Sequence, residues 1–445
     1  MNNKVIAIVA VAILVVAGIA VVILMTNNNG GGDGPKATLS HRLTVIGNAF
    51  SDDTIDENDV KVIQAVIDGK NSITVAGNVI DLTDEDVRAY CDADNNSKID
   101  SADIDFVREL IDGKAKLAYY VNANNEVKSA NLPINNIVVM FRRIGTTIAM
   151  LGASEMVVGY ENNLRSGGSY GFLNFPGQAV GSQSDPDDEL IITMNKNYAS
   201  TGGVTVIADA TGSDPNMEND LRGIDVIRLP VTELGKSENG VVTLGYLLSF
   251  SEKNGGKVQE ALDKWISWND SVKDKVDAAL AKLSGDKKTC LVGLYYNGSY
   301  NCRVKGVSEF EYTEMCGANN IADDVGIIGG SNSFTMSELN EILLAHKPQY
   351  LMVMQSETLL LNNTESMDVT CKAFKEQLSS NFDGEVVMFS QFVGTGPGYA
   401  LSLMVYANNF LPLDQKFDVQ SEYETFMGTM VGNTTLSKLP ITVTA

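Results

Sequence analysis

The residues whose types and spacing point most directly to chemistry run Asp92-Ala93-Asp94-Asn95-Asn96-Ser97-Lys98-Ile99-Asp100-Ser101-Ala102-Asp103. Side-chain oxygens stand at loop positions 1, 3, 5, 9 and 12: Asp92, Asp94, Asn96, Asp100 and Asp103. The backbone carbonyl of Lys98 is available at position 7. A loop of this kind wraps a hard cation with six or seven oxygens, so the expected ion is calcium. Ile99 at position 8 would anchor the loop to a partner loop. Ser97 occupies position 6, where such loops turn sharply on glycine, and a modest strain is expected there. A weaker copy lies upstream, from Asn48 to Asp59, with Asn48, Asp52, Thr54, Asp56 and Asp59 at the ligand positions. Phe50 replaces its third-position oxygen, so this first site should be weaker or should recruit water.

Each loop leads into a helical pattern. Val62, Ile63, Val66 and Ile67 follow the first, and Ile104, Val107, Leu110 and Ile111 follow the second. Both patterns end in Ile-Asp-Gly, at Ile67-Asp68-Gly69 and Ile111-Asp112-Gly113, the mark of an internal duplication. Two loop-helix repeats whose last ligand is Asp resemble the dockerin module, here residues 41–114. Dockerins bind cohesin partners, so a cohesin-like protein is an implied partner. Positions 10 and 11, Glu57-Asn58 and Ser101-Ala102, do not resemble the paired hydroxyls of cohesin-binding types, and an intramolecular or structural role is equally open.

Upstream, Val5 to Met25 is a run of 21 uncharged, mostly aliphatic residues. A helix of about 20 such residues crosses a bilayer, and a cleavable signal has a shorter apolar core of ~7–15. An uncleaved transmembrane anchor is expected over residues 1–26. Lys4 before it weakly favours a cytoplasmic N-terminus, which places the bulk of the chain outside the cell membrane. Residues 27–40, with Gly30-Gly31-Gly32, read as a flexible tether. The chain has 445 residues and a formal charge of -23, which argues against a nucleic-acid partner. Its five cysteines make no CxxC spacing, and its two histidines, His41 and His346, give a zinc site almost no material.

From about residue 115 onward, apolar strand-like runs alternate with helical patterns, the signature of α/β layers. Strands are predicted at 136–141, 204–208, 225–229, 290–295, 350–354 and 385–389. A long helix is predicted over 257–283, from Val258, Leu262, Trp265, Val272, Val276 and Leu280. The fold class is therefore α/β, with two α/β lobes joined by one long helix and preceded by the all-α loop-helix pair. Lobe one is expected at about 131–240 and lobe two at about 287–415.

This layout resembles the iron-complex and cobalamin class of periplasmic solute-binding proteins over about three quarters of the chain. The segments that carry the resemblance are Ile137 to Thr147, Met150-Leu151-Gly152-Ala153, Val157-Val158-Gly159 and Gly223 to Leu229. In the second lobe they are Gly317 to Ala322, Ser337-Glu338-Leu339 with Lys347-Pro348-Gln349, and Gly396-Pro397-Gly398 with Leu411-Pro412.

The resemblance implies a ligand held between the lobes on loops at strand ends. The first-lobe loop is Phe141-Arg142-Arg143, with Tyr160 and Asn162 facing the same opening. The family often has small polar residues in that loop, and two arginine forks in their place suit an anionic ligand. Tyr295, Tyr296 and Tyr300 at a second-lobe strand end suit a macrocycle or chelate. Glu189 and Glu338 match the acidic residues with which the family docks on its permease.

No nucleophile-base pair, Walker-type loop or histidine cluster is present, and no enzyme is expected. The implied function is a membrane-anchored receptor that hands a ferric chelate, haem or corrinoid to an ABC importer. The alternative is a surface adhesion or assembly protein that recruits a partner through the dockerin-like module.

Overall fold

Identical caps make the two loop-helix repeats fold alike. Helices α1 (Glu57–Ile67) and α3 (Ser101–Ile111) have 11 residues each. Asp56 caps α1 by accepting the Asn58 N–H, and Asp59 reaches back to the Asp56 N–H at 2.8 Å. Asp100 and Asp103 repeat the arrangement on α3, with Asp103 accepting the Asp100 N–H at 2.8 Å. Such boxes satisfy amide groups that a helix N-terminus leaves without partners. Both helices stop at a glycine in the left-handed region, Gly69 at φ 71° and Gly113 at φ 67°.

Between the repeats lie a hairpin, β1 (Ser72–Val75) and β2 (Asn78–Asp81), and helix α2 (Glu85–Cys91), none of which the sequence pattern reveals. The second loop thus has a helix on both sides. Phe50 is fully buried, which is why the third position of loop one carries an apolar ring instead of an oxygen. The computed structural model describes residues 39–210, 213–233, 235–325, 332–355, 367–391, 396–433 and 442–444. The expected membrane anchor at Val5 to Met25 and the glycine-rich tether after it lie outside them.

A second hairpin, β3 (Leu117–Val121) and β4 (Val127–Asn131), fastens the module to lobe one. Val45 bridges Tyr120, and the Ile46 and Val121 N–H groups bond Tyr119 and Thr44, each at 2.8 Å. The module's buried residues, among them Leu43, Val62, Ile63, Val66, Val107 and Leu110, are continuous with the core beneath lobe one and the connecting helix.

Lobe one contains β5 (Ile137–Val139), α4 (Arg142–Met150), β6 (Val157–Tyr160), β7 (Gln178–Ala179), the small pair β8 (Gly181–Ser182) and β9 (Asp185–Pro186), α5 (Asp188–Asn197), β10 (Thr205–Asp209), α6 (Met217–Asp220) and β11 (Asp225–Leu229). Its sheet runs β11-β10-β5-β6-β7, all parallel. A parallel sheet covered on both faces demands continuous apolar strands, and Ile137-Val138-Val139 and Val206-Ile207-Ala208 are wholly buried.

Helices α7 (Ser237–Ser249) and α8 (Gly255–Leu280) come next. The second is the connecting helix, 26 residues long, and buries Val258, Leu262, Trp265, Val272 and Val276 along one stripe. Among the described residues no helix is long and apolar enough to cross a membrane.

Lobe two contains β12 (Thr289–Tyr296), β13 (Ser299–Cys302), α9 (Ser308–Met315), β14 (Asn319–Asn320), β15 (Asn332–Thr335), α10 (Met336–His346), β16 (Tyr350–Gln355), α11 (Met367–Lys375), β17 (Glu385–Ser390), α12 (Ala400–Phe410), α13 (Val419–Glu424) and β18 (Thr442–Thr444). Strands β12, β16 and β17 form a parallel centre, extended by antiparallel β13, β15 and β18. The protein is α/β, with a sheet in each lobe and the long helix between them.

Candidate functional site

In loop two the carboxylates converge. Among the described residues, Asp92, Asp94 and Asp103 are the one acidic, thiol or imidazole group of three whose ligand atoms lie within 4.8 Å of one another. The backbone turns inward to hold them. Asp92 accepts the Asn96 and Ser97 N–H groups at 3.0 and 2.9 Å, and Asn96 accepts that of Lys98 at 2.9 Å. Ser97 stands at φ 70°, the left-handed conformation that glycine would adopt without strain. Asp103 is buried at the base. Burial pushes its carboxyl above the ordinary range and the charges of Asp94 and Asp92 push the same way, while N–H bonds from Asp100 and Asp94 oppose them. The three like charges therefore stand close together at the mouth of α3.

Loop one is built differently. The Asn48 amide donates to the Leu43 and Asp52 carbonyls, both at 2.8 Å, so its nitrogen closes the loop. Asp52 turns to the Thr54 N–H and hydroxyl. Asp59 is fully buried, and burial pushes its carboxyl up to about 8 against bonds from the Phe50 and Asp56 N–H groups. Asp53, at position 6, leaves the loop to meet Arg42.

Arg42 is the centre of a buried ion cluster that sequence reasoning missed. It grips Asp53 with two bonds and Asp270 of α8 with two more, and lies 3.4 Å from Glu238 of α7. Glu238 in turn accepts from Lys273 at 2.8 Å, from Asn269 at 2.9 Å and from the Tyr399 hydroxyl of lobe two. One network therefore joins the loop module, the connecting helix and the second lobe. Its directly bonded partners lie up to 228 residues apart, beyond the reach of any local pattern.

The carboxyl ends of the lobe-one strands bring together Phe141, Arg142, Arg143, Tyr160 and Asn162. Open parallel sheets place ligands at these ends. Arg142 is half-buried, with its guanidinium 5.7 Å from the Phe141 ring centre and 6.0 Å from that of Tyr170. Arg143 is placed differently from the expectation. It is only 4% exposed, lies 5.7 Å from the same Tyr170 ring, and donates to the Gln391 carbonyl of lobe two at 2.9 Å. Its stem packs against Gly396. It ties the lobes together rather than facing an opening.

Between Tyr160 and Asn162 stands Glu161, which no sequence motif singles out. It is fully buried, and Oε2 accepts the Asn163 N–H at 2.8 Å and the Asn163 amide at 3.1 Å. Burial pushes its carboxyl up, while the Asn163 bonds and the charge of Arg142 pull it down; burial prevails.

In lobe two the three tyrosines separate. Tyr296 is 42% exposed at the strand end. Tyr295 is half-buried and meets Phe374 edge-on, with ring centres 4.8 Å apart. Tyr300 belongs to the core. Asn297 and Gly298, both at positive φ, turn the chain back into a hairpin in which Tyr300 pairs with Tyr295. Tyr300 is fully buried, its hydroxyl 3.1 Å from the Leu291 and Met352 carbonyls. The strand end instead carries Gln355, 1% exposed, in register with Ser390 beside the Gln391 that Arg143 holds.

Glu189 and Glu338 are both exposed, each in the first turn of a helix, α5 and α10. Glu338 also closes a capping box, accepting the Thr335 N–H and hydroxyl at 2.8 Å each. A hollow of about 340 Å³ lies at the opposite, amino-terminal edge of the lobe-one sheet, lined by Asn131, Asn136, Asn195 and Asp225. The Asn136 amide nitrogen and the Asn195 carbonyl oxygen are engaged by the loop at Thr201, Gly203 and Val204, and Asn131 bonds Asp225. It shares nothing with the strand ends above.

No protein-family model matches this sequence, and no curated protein matches it. Solved structures do. The TroA-like periplasmic binding protein FepB from Veillonella parvula is 16% identical, with a TM-score of 0.53 over 69% of this chain and 95% of its own. A periplasmic solute-binding protein from Veillonella parvula DSM 2008 is 14% identical, with a TM-score of 0.51 over 71% of this chain and 93% of its own. The likeness is one of fold: two lobes and a connecting helix in the manner of a TroA-like periplasmic binding protein.

Proposed function

We propose that this chain is the extracytoplasmic solute-binding component of an ABC importer, a binding protein rather than an enzyme, whose solute is a ferric chelate, haem or corrinoid. The observation that carries this reading is the meeting of the two lobes at their strand ends. Phe141, Arg142, Tyr160 and Glu161 lie on one side and Tyr295, Gln355 and Ser390 on the other, spanned by the Arg143–Gln391 bond. Two lobes on one long helix can clasp a solute with buried polar groups from both. Glu189 and Glu338, exposed on separate lobes, suit a permease that presents basic residues. Val5 to Met25 would hold the receptor at the membrane surface.

Loop two, with Asp92, Asp94, Asn96, Lys98, Asp100 and Asp103, would hold a structural calcium ion. Loop one would hold a cation less strongly, because the buried Phe50 ring stands where a third-position oxygen is needed. The module is bonded into the receptor through Arg42 and Thr44, which supports a bracing role over recruitment of a cohesin-like partner.

The test is native mass spectrometry and metal analysis of protein purified from its own membranes. A one-to-one adduct with an organic metal complex is expected. Protein that carries calcium and no organic solute would refute the receptor reading.

A further inference from the structure

Glu161 is an incompletely satisfied acid at the junction of the lobes. Its Oε1 is buried and has no hydrogen-bond partner among the described residues. A carboxylate oxygen can only accept, so what is missing is a donor. Buried polar atoms in folded proteins are almost always satisfied, and an exception asks for a function. Gln355, across the junction, repeats the situation: among the described residues its Oε1 has no partner, and its nitrogen makes a 3.4 Å contact with Thr370. Whichever way that amide is turned, one of its ends is unspent. The two strand ends belong to the same junction, because Arg143 beside Arg142 is bonded to Gln391, next to the Ser390 that pairs with Gln355. One of the two cations that would recruit an anionic solute, Arg143, is engaged by the lobe-two backbone.

We propose that Glu161 is a ligand-binding residue whose Oε1 accepts a hydrogen bond from an N–H donor on the solute, so that the receptor prefers a complex rimmed with amides or amines over one rimmed with carboxylates. This rests on the receptor reading and narrows its solute class. Of the complexes that reading allows, an amide-rimmed corrinoid supplies such donors. Haem presents two carboxylates, which Glu161 would repel in a site of low dielectric. The arginines by themselves suggest an anionic solute; the acceptors reverse that preference.

The experiment titrates the full chain calorimetrically with cyanocobalamin and with haemin, in the wild type, Glu161→Gln and Glu161→Ala. The wild type should bind cyanocobalamin the more tightly. Either variant should weaken it by about ten- to a hundredfold, the range of a charge-assisted hydrogen bond. Glu161→Gln should at the same time strengthen haemin binding. A melting curve without solute separates binding from folding. Glu161→Gln should melt at or above the wild-type temperature, because a buried acceptor kept for a ligand is a burden to the empty protein. Unchanged cyanocobalamin affinity in Glu161→Gln, or a clear fall in its melting temperature, overturns the assignment. Tighter binding of haemin by the wild type overturns the solute preference and leaves the receptor reading standing. Binding of neither compound removes the preference together with the receptor reading for these two solutes.

Discussion

Replacing Arg42 by Met should loosen the loop module from the receptor. The arginine side chain is 9% exposed, and its partners Asp53, Glu238 and Asp270 are 19%, 12% and 41% exposed. Removing one member of a buried ion cluster costs about 3–5 kcal/mol, because the remaining charges are left without compensation. Asp270 is more than a third exposed, so water screens its share, and Lys273 still neutralises Glu238. The lower end, about 3 kcal/mol, is the expected cost. At an unfolding entropy of roughly 2.1 cal/mol/K per residue over the 374 described residues, that lowers Tm by about 3–4 °C. Arg42→Lys should recover only part, since an ammonium cannot bond two carboxylates bidentately. Differential scanning calorimetry of the full chain reads both effects. The wild type and Arg42→Met should each melt as one unit, the variant about 3–4 °C lower. A single transition with Tm unchanged to within about half a degree would show that the cluster joins nothing of consequence.

Three other outcomes are expected. Burial pushes the Glu238 carboxyl up, but Lys273, Tyr399 and Arg42 outweigh it and hold it below the usual range. Its stabilisation is therefore complete above the ordinary carboxylate pKa and lost as pH falls through the depressed folded value, so as pH drops below the ordinary carboxylate range Glu238→Gln should show a shallower fall in Tm than the wild type. Calcium should raise the module's melting temperature, and Asp92→Ala with Asp94→Ala should abolish that rise; identical curves with and without chelator would contradict it. Tyr300→Phe should cost about 1 kcal/mol of stability for one lost buried hydrogen bond, measured by urea titration, and leave solute affinity unchanged.

The six lobe strands were legible because strands buried on both faces must be written in Val, Ile and Leu, and the long helix because its apolar stripe repeats over 26 residues. The convergence of Asp92, Asp94 and Asp103 was legible because their spacing is that of a cation-binding loop. The short hairpin β1-β2 and the seven-residue α2 carry too few periods to declare themselves. Tyr300 was misplaced because the two strands around Asn297-Gly298 read as one strand end, although that dipeptide is a hairpin signal. Arg143 was expected at an opening because sequence shows a charge but not its partner, here a backbone carbonyl 248 residues away. Glu161 gave no signal at all: an acid after a strand is usually solvated, and only the packing shows it buried.

The central claim is that one solute is held by both lobes at their strand ends. Hydrogen–deuterium exchange of the full chain, with and without whichever of cyanocobalamin and haemin binds more tightly, tests it most directly. Slowed exchange is expected together at Phe141 to Thr147 and Tyr160 to Leu164 in lobe one and at Tyr295 to Tyr296 and Ser390 to Gln391 in lobe two, with the hollow at Asn131 to Asn136 unaffected. Protection confined to one lobe, or found at that hollow instead, would contradict the account.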